Sequence, residues 1–228
     1  MWENYEVKNK GWNNLKGKYW KSFLVGLVVY FASFECLNEV ISNIVTFLLN
    51  TYTMPLQTAL TIIGVSVVIL ILKVFLLNLL RIGGLKYYLD LPKGESDFSL
   101  IQYYTGGHYS NVVKVTFLRG LKVFLYYLLL FVPGVIKRYE YYFVGYIVAE
   151  NPEISTYEAL RRSTELTEGH KVNIWILELT FIGWFLLGIL FFGWGIVFVY
   201  PYFYATIAEL YKTLKTLHDT PTPALPEE

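Results

Sequence analysis

Cysteine and histidine are nearly absent, and their scarcity removes several kinds of chemistry. Cys36 is the only cysteine in 228 residues, so no intramolecular disulfide can form and no CxxC redox or cysteine-ligated zinc site can be assembled. It lies inside an apolar run and reads as a small buried hydrophobe. The three histidines, His108, His170 and His218, are scattered, none beside a second ligand-type residue at useful spacing. No P-loop, GxSxG, HExxH or dinucleotide fingerprint is present, so the chain offers no nucleophile, base or metal set on which an enzyme could be built. The expectation is a protein that is not an enzyme and needs neither metal nor cofactor. Charge is scarce too: only 16% of residues are charged and the net charge is +1. Neutralising phosphates needs a concentrated basic face, which argues against nucleic acid as a partner.

What the chain has in abundance is apolar surface. With 55% hydrophobic and 18% aromatic residues and a mean hydropathy of +0.42, it does not describe a water-facing globule, and membrane is the default reading. The opening MWENYEVKNKGWNNLKGKYW is too polar and too long for the n-region of a signal peptide, and no small-residue cleavage site ends the apolar run after it. Residues 1–21 are therefore expected to be a cytoplasmic N-terminal segment, 22–215 a single transmembrane helical domain, and 216–228 a disordered tail, since HDTPTPALPEE cannot build a core.

The spacing of apolar runs predicts about six membrane helices. Residues 22–49 are long enough to cross a hydrocarbon core of roughly 30 Å. They carry a polar stripe, Glu35, Glu39, Ser42 and Thr46, on one helical face. Either the stripe faces a cavity, where an intramembrane acid is a functional hypothesis, or the helix emerges near Glu35 and runs along the far interface. Residues 56–80 are the second span. Lys73 falls near its far end, placed to snorkel to headgroups or to meet a carboxylate. Arg81 and Lys86 mark its exit, and residues 90–108 form a polar, turn-rich segment outside the bilayer core.

From Ser110 a helix begins in the headgroup layer, with Lys114, Arg119 and Lys122 on one arc as contacts for anionic lipid, and then dives through VFLYYLLLFV. Pro133 and Gly134 are a predicted hinge. Residues 135–150, about 24 Å at helical rise, form a short fourth span, with Gly145 and Ala149 spaced for close packing. A re-entrant pair is the alternative, because Lys137 and Arg138 break the charge pattern. Ser155, Glu158 three residues on, and Gly169 punctuate an amphipathic helix with a capping box. Glu158 with Arg162 and Arg161 with Glu165 form i,i+4 pairs; Ala159, Leu160, Ser163 and Leu166 form the other face. That charged face is either simply solvated or a contact surface for a cytoplasmic or membrane protein. Residues 173–192 are span five, holding Glu178 with Trp175 and Trp184 as interface anchors. Residues 196–214 are span six, with Pro201 expected to kink it. The turns NTYTMP and GWG are uncharged while Lys and Arg gather on the opposite side, which places both termini in the cytoplasm.

Several stretches in order, NNLKGKYWKSF, GGLKYYLDLPKGESDFSL, PGVIKRYEYYFVGYIVAENPEISTYEALRRSTELTEGHK, LELTFIGWFLL and YPYFYATIAELY, resemble the bacterial integral membrane family catalogued as domain of unknown function 975. The resemblance covers nearly the whole chain, and its Pro-Gly-Val-Ile-Lys, Ala-Glu-Asn-Pro and Phe-Ile-Gly-Trp elements are specific. The EALRRSTELTEG helix is similar, more distantly, to a segment of other six-span bacterial membrane domains, including those joined to glycerophosphodiester phosphodiesterases. The resemblance implies a polytopic bacterial plasma-membrane protein with no assigned reaction. It carries no catalytic residue to this chain.

Two functions follow as expectations. One is a non-enzymatic membrane component, an accessory to transport, export or envelope maintenance, that uses Glu158, Arg161, Arg162 and Glu165 as a contact face. The other is a small-solute or proton-coupled carrier, with Glu35, Glu39, Lys73, Glu140 and Glu178 lining a polar cavity and Pro133, Gly134 and Pro201 marking broken helices.

Overall fold

The computed structural model describes residues 2–33, 55–72, 77–94, 107–190 and 195–219, which form helices and turns with no strand. Glu35, Glu39, Lys73 and the end of the chain from residue 220 lie outside the described residues.

The N-terminal segment forms a docked helix, α1 (Asn4–Leu15), despite its polar composition. Val7, Gly11 and Leu15 recur every four residues on one face and are buried. After Gly17, which takes the left-handed conformation at φ 77°, come α2 (Tyr19–Ser33), α3 (Leu56–Leu72) and α4 (Asn78–Asp90). The residues beyond Leu80, expected to leave the second span, belong instead to the core. Ile82, Leu85, Tyr87, Tyr88 and Leu89 are all at most 3% exposed. Two phenols can be buried there because Ser22 satisfies them: the Tyr88 hydroxyl donates to the Ser22 carbonyl at 2.7 Å, and the Tyr87 hydroxyl lies 3.0 Å from Ser22 Oγ. Gly84 allows α2 and α4 to close on each other, since a Cβ there would lie 2.0 Å from a Val29 methyl.

The second half of the chain holds α5 (Tyr109–Leu129), α6 (Phe131–Glu140), α7 (Val144–Glu150), α8 (Thr156–Thr167), α9 (Lys171–Leu190) and α10 (Gly195–Asp219). Helix α6 doubles back on α5, and the reversal falls at Leu130, whose backbone is extended (φ −159°, ψ 143°). Pro133 and Gly134 are therefore not the hinge itself. Pro133 sits in the first turn of α6, where a missing N–H costs nothing. Gly134 lies against Tyr127 of the outgoing limb, and a Cβ there would meet the Tyr127 ring at 2.4 Å and its Cα at 2.8 Å.

The expected fourth span is likewise two helices. Residues 135–150 break at Tyr141–Phe143, between α6 and α7. Helix α10 runs unbroken through the buried Pro201 to Asp219, so residues 216–219, assigned to the tail from sequence, are its last turn. α1 packs along α10, and Gly11 permits it: a Cβ would lie 2.8 Å from the Thr206 Cα. Asn14 Nδ2 donates to Glu209 at 2.9 Å, and Lys212 pairs with the same carboxylate oxygen at 2.8 Å. Lys8 reaches across to α9, donating to Thr180 Oγ1 at 3.1 Å above the Phe181 ring.

Candidate functional site

The break between α6 and α7 exposes backbone groups that a continuous helix would have paired, and side chains from two other helices take them up. From α8, Ser163 Oγ donates to the Glu140 carbonyl at 2.7 Å and accepts from the Phe143 N–H at 3.2 Å. From α5, Arg119 Nε donates to the Tyr141 carbonyl at 2.8 Å. A buried N–H or carbonyl left unpaired costs about 1–3 kcal/mol, so a hydroxyl serving both sides of the break decides that it forms. Arg119, expected to meet lipid headgroups, is thus held at the base of the α5–α6 hairpin by this bond. Lys114 and Lys122, its companions on that helix, are exposed.

Two of the four expected cavity acids come to this junction, each with its own partners. Glu140 is buried and takes Lys137 from its own helix and Lys171, at 2.8 Å, from the start of α9. Burial alone would raise its pKa; the hydrogen bonds from Lys137 and Lys171 outweigh that and hold it below the usual carboxylate range. Glu178, placed from sequence in the fifth span and the polar cavity, is bound by phenols. The hydroxyls of Tyr139 and Tyr142 donate to its two carboxylate oxygens at 2.6 Å each. Those rings are parallel, with centroids 6.0 Å apart. A third acid, the exposed Glu150, accepts from the Tyr211 hydroxyl at 2.8 Å and pairs with Lys215.

Helix α8 matches its sequence punctuation. Ser155 Oγ accepts from the Glu158 N–H at 3.2 Å, and Gly169 follows at φ 72°. Only half of the capping box closes, because the Glu158 carboxylate turns to the guanidiniums of Arg161 (2.8 Å) and Arg162 (2.7 Å). Arg161 also holds Glu165 at 2.6 Å. Hydrogen bonds from Arg161 and then Arg162 pull Glu158 down to a pKa of about 2. Ala159, Leu160, Ser163 and Leu166 are buried as their spacing predicted.

Between α5 and α8 runs an open groove of about 370 Å³, lined by Lys122, Tyr141, Tyr157, Arg161, Thr164 and Glu165. It brings together one residue of the expected headgroup set and two of the expected contact face. Sequence reasoning had no means of pairing them, since they sit on helices separated by α6 and α7. Ser163 was placed on the correct face of α8 by periodicity, but its role depends on the break at Tyr141–Phe143. Among the described residues, no group of three or more His, Cys, Asp or Glu side chains is placed to hold a metal ion.

The described residues thus define an all-helical protein. Among the described residues, one helix, over Lys171–Gly188, is long and apolar enough to cross a membrane. The chain belongs to the family described as Protein of unknown function (DUF975), whose model matches residues 98–218. That stretch holds the α5–α6 hairpin, the junction and the groove. No curated protein and no solved structure matches the sequence.

Proposed function

We propose that this protein is a non-enzymatic component of a bacterial plasma membrane, an accessory to transport, export or envelope maintenance, with both termini cytoplasmic and α8 as its contact surface. The observation that carries the reading is the two-sided character of α8. Its inner face is consumed in holding the α6–α7 break, while Tyr157 is 76% exposed and the Glu158, Arg161, Arg162 and Glu165 network lines the outer face beside an open groove. A helix so well capped and so firmly backed presents a rigid surface at low entropic cost. The membrane part draws on α9, where Val172, Trp175, Ile182, Trp184, Leu186 and Leu187 are 46 to 65% exposed. Such a surface is unfavourable in water and natural in lipid. In-cell crosslinking in native lipid tests the reading: a partner captured by the wild type should be lost when Arg161, Arg162 and Glu165 are together changed to Ala. Identical captured sets from both would overturn it.

A proton-coupled carrier is the second reading, favoured by Glu178. Its carboxylate lies within the candidate span and is held by neutral phenols, an arrangement in which protonation needs no ion pair to be broken. Liposome flux that is absent, or unchanged in Glu178→Gln, would remove it.

A further inference from the structure

The end of the α5–α6 hairpin is its least covered and least polar part. Leu125, Leu128, Leu129, Leu130, Phe131 and Val132 are 52 to 75% exposed. No charged residue lies between Lys122 on the outgoing limb and Lys137 on the returning one. A contiguous apolar tip of this kind is costly in water. Its base is cationic: Lys114 and Lys122 are exposed on α5, and Lys137 is linked through Glu140 to Lys171. Apolar surface therefore begins at a cation on both limbs.

Length decides how deep such a tip can go. From Lys122 to Leu130 is about 12 Å at helical rise, and from Phe131 to Lys137 about 9 Å. A hydrocarbon core of roughly 30 Å is beyond either limb, whereas the longer limb comes within about 3 Å of spanning half of it. Part of the backbone at the tip is paired, as lipid requires. The Leu130 N–H donates to the Tyr126 carbonyl at 3.1 Å and the Gly134 N–H to the Leu130 carbonyl at 3.2 Å, while Pro133 has no N–H to satisfy. Both ends of the segment also meet on one side, since Asn111 Nδ2 donates to the carbonyls of Pro152 and Ile154 at 2.7 and 2.8 Å.

We infer that α5 and α6 form a re-entrant hairpin that enters a single leaflet and returns. Acyl chains cover residues 123–136, anionic headgroups sit on Lys114 and Lys122, and Leu130 and Phe131 stop near the bilayer midplane. This rests on the membrane reading above and goes beyond it by replacing two expected crossings with none. The even count of crossings between residues 108 and 157 is preserved, so the orientation argument is unchanged.

Single-cysteine spin labels test it in a Cys36→Ser background, in vesicles of phosphatidylethanolamine and phosphatidylglycerol. Labels go at Leu121, Leu125, Leu129 and Ile136 of the hairpin, with Leu187 of α9 as the reference. Depth is read from collision with oxygen against a water-soluble nickel chelate. The expected profile deepens from 121 to 129 and becomes shallow again at 136. A membrane-impermeant maleimide should leave Leu129→Cys unlabelled from either side. Changing Lys114 and Lys122 together to Glu should move the Leu129 label toward water. Labelling of Leu129→Cys from the side opposite Lys171 would mean the hairpin crosses, and a water-exposed Leu129 beside a lipid-exposed Leu187 would mean it never enters; either overturns the inference alone. Water exposure at Leu187 as well would overturn the membrane reading itself.

Discussion

Glu158 does two jobs through different atoms: its backbone N–H is capped by Ser155 and its carboxylate gathers two guanidiniums. Because its pKa is lowered on folding, its ion pairs stabilise α8 fully above the ordinary carboxylate range and lose that effect as the pH falls through about 2. A carbon-13 titration of the Glu158 carboxyl should show a midpoint well below the usual value. Arg161→Ala with Arg162→Ala should return the midpoint to about 4.3, and a wild-type midpoint already there would refute the network. Ser163 tests the other side of the same helix. Ser163→Ala strands the Phe143 N–H and takes one donor from the Glu140 carbonyl, for an expected loss of about 1–3 kcal/mol. For a chain of this size that is about 2–4 °C in melting temperature per kcal/mol; a melt unchanged from wild type would mean that the break holds without the hydroxyl. The pairs around Glu158 were legible because they are local in sequence. The bonds of Ser163 were not, because they join residues 20 and 23 apart and exist only once the chain breaks at Tyr141.

At the scale of elements, the Pro133 and Gly134 pair shows how a correct signal can point to the wrong residue. A proline inside an apolar run reads as an interruption, and the chain does reverse nearby. But proline is also favourable in a first helical turn, so the reversal precedes it, at Leu130. The glycine's contribution is a missing side chain at the contact between the limbs. Gly134→Ala should destabilise the hairpin by about 1–3 kcal/mol through overpacking. Tyr127→Ala should not restore it, because the 2.8 Å approach is to the Tyr127 Cα. Thermal melts of the single and double variants decide this; full rescue by Tyr127→Ala would show that only the ring was in the way. The same limit of composition-based reading explains α4. Arg81 and Lys86 suggest an exit to water, whereas Tyr87 and Tyr88 enter the core because Ser22 accepts and shares their hydroxyl protons.

On the scale of the whole molecule, the polar N-terminus turns out to close the bundle. Its composition suggests a segment in water, while the four-residue recurrence of Val7, Gly11 and Leu15 is the signal that could have shown a buried face. Five lysines in the first twenty-one residues mask it. What fixes α1 is the backbone approach at Gly11, and side-chain bonds such as Asn14 to Glu209 only add to it. Gly11→Leu should therefore release α1 from α10, since a Cβ there already meets the Thr206 backbone at 2.8 Å and backbone cannot move aside cheaply. Amide hydrogen exchange on the purified protein in lipid nanodiscs reads this directly. Amides of residues 7–15 should be protected in the wild type and exchange rapidly in Gly11→Leu, while those of α8 keep their protection. Equal protection of α1 in both proteins would mean the helix holds without close docking. Loss of protection in α8 as well would mean that α1 is needed for the whole bundle to fold and is not a separable clasp on it.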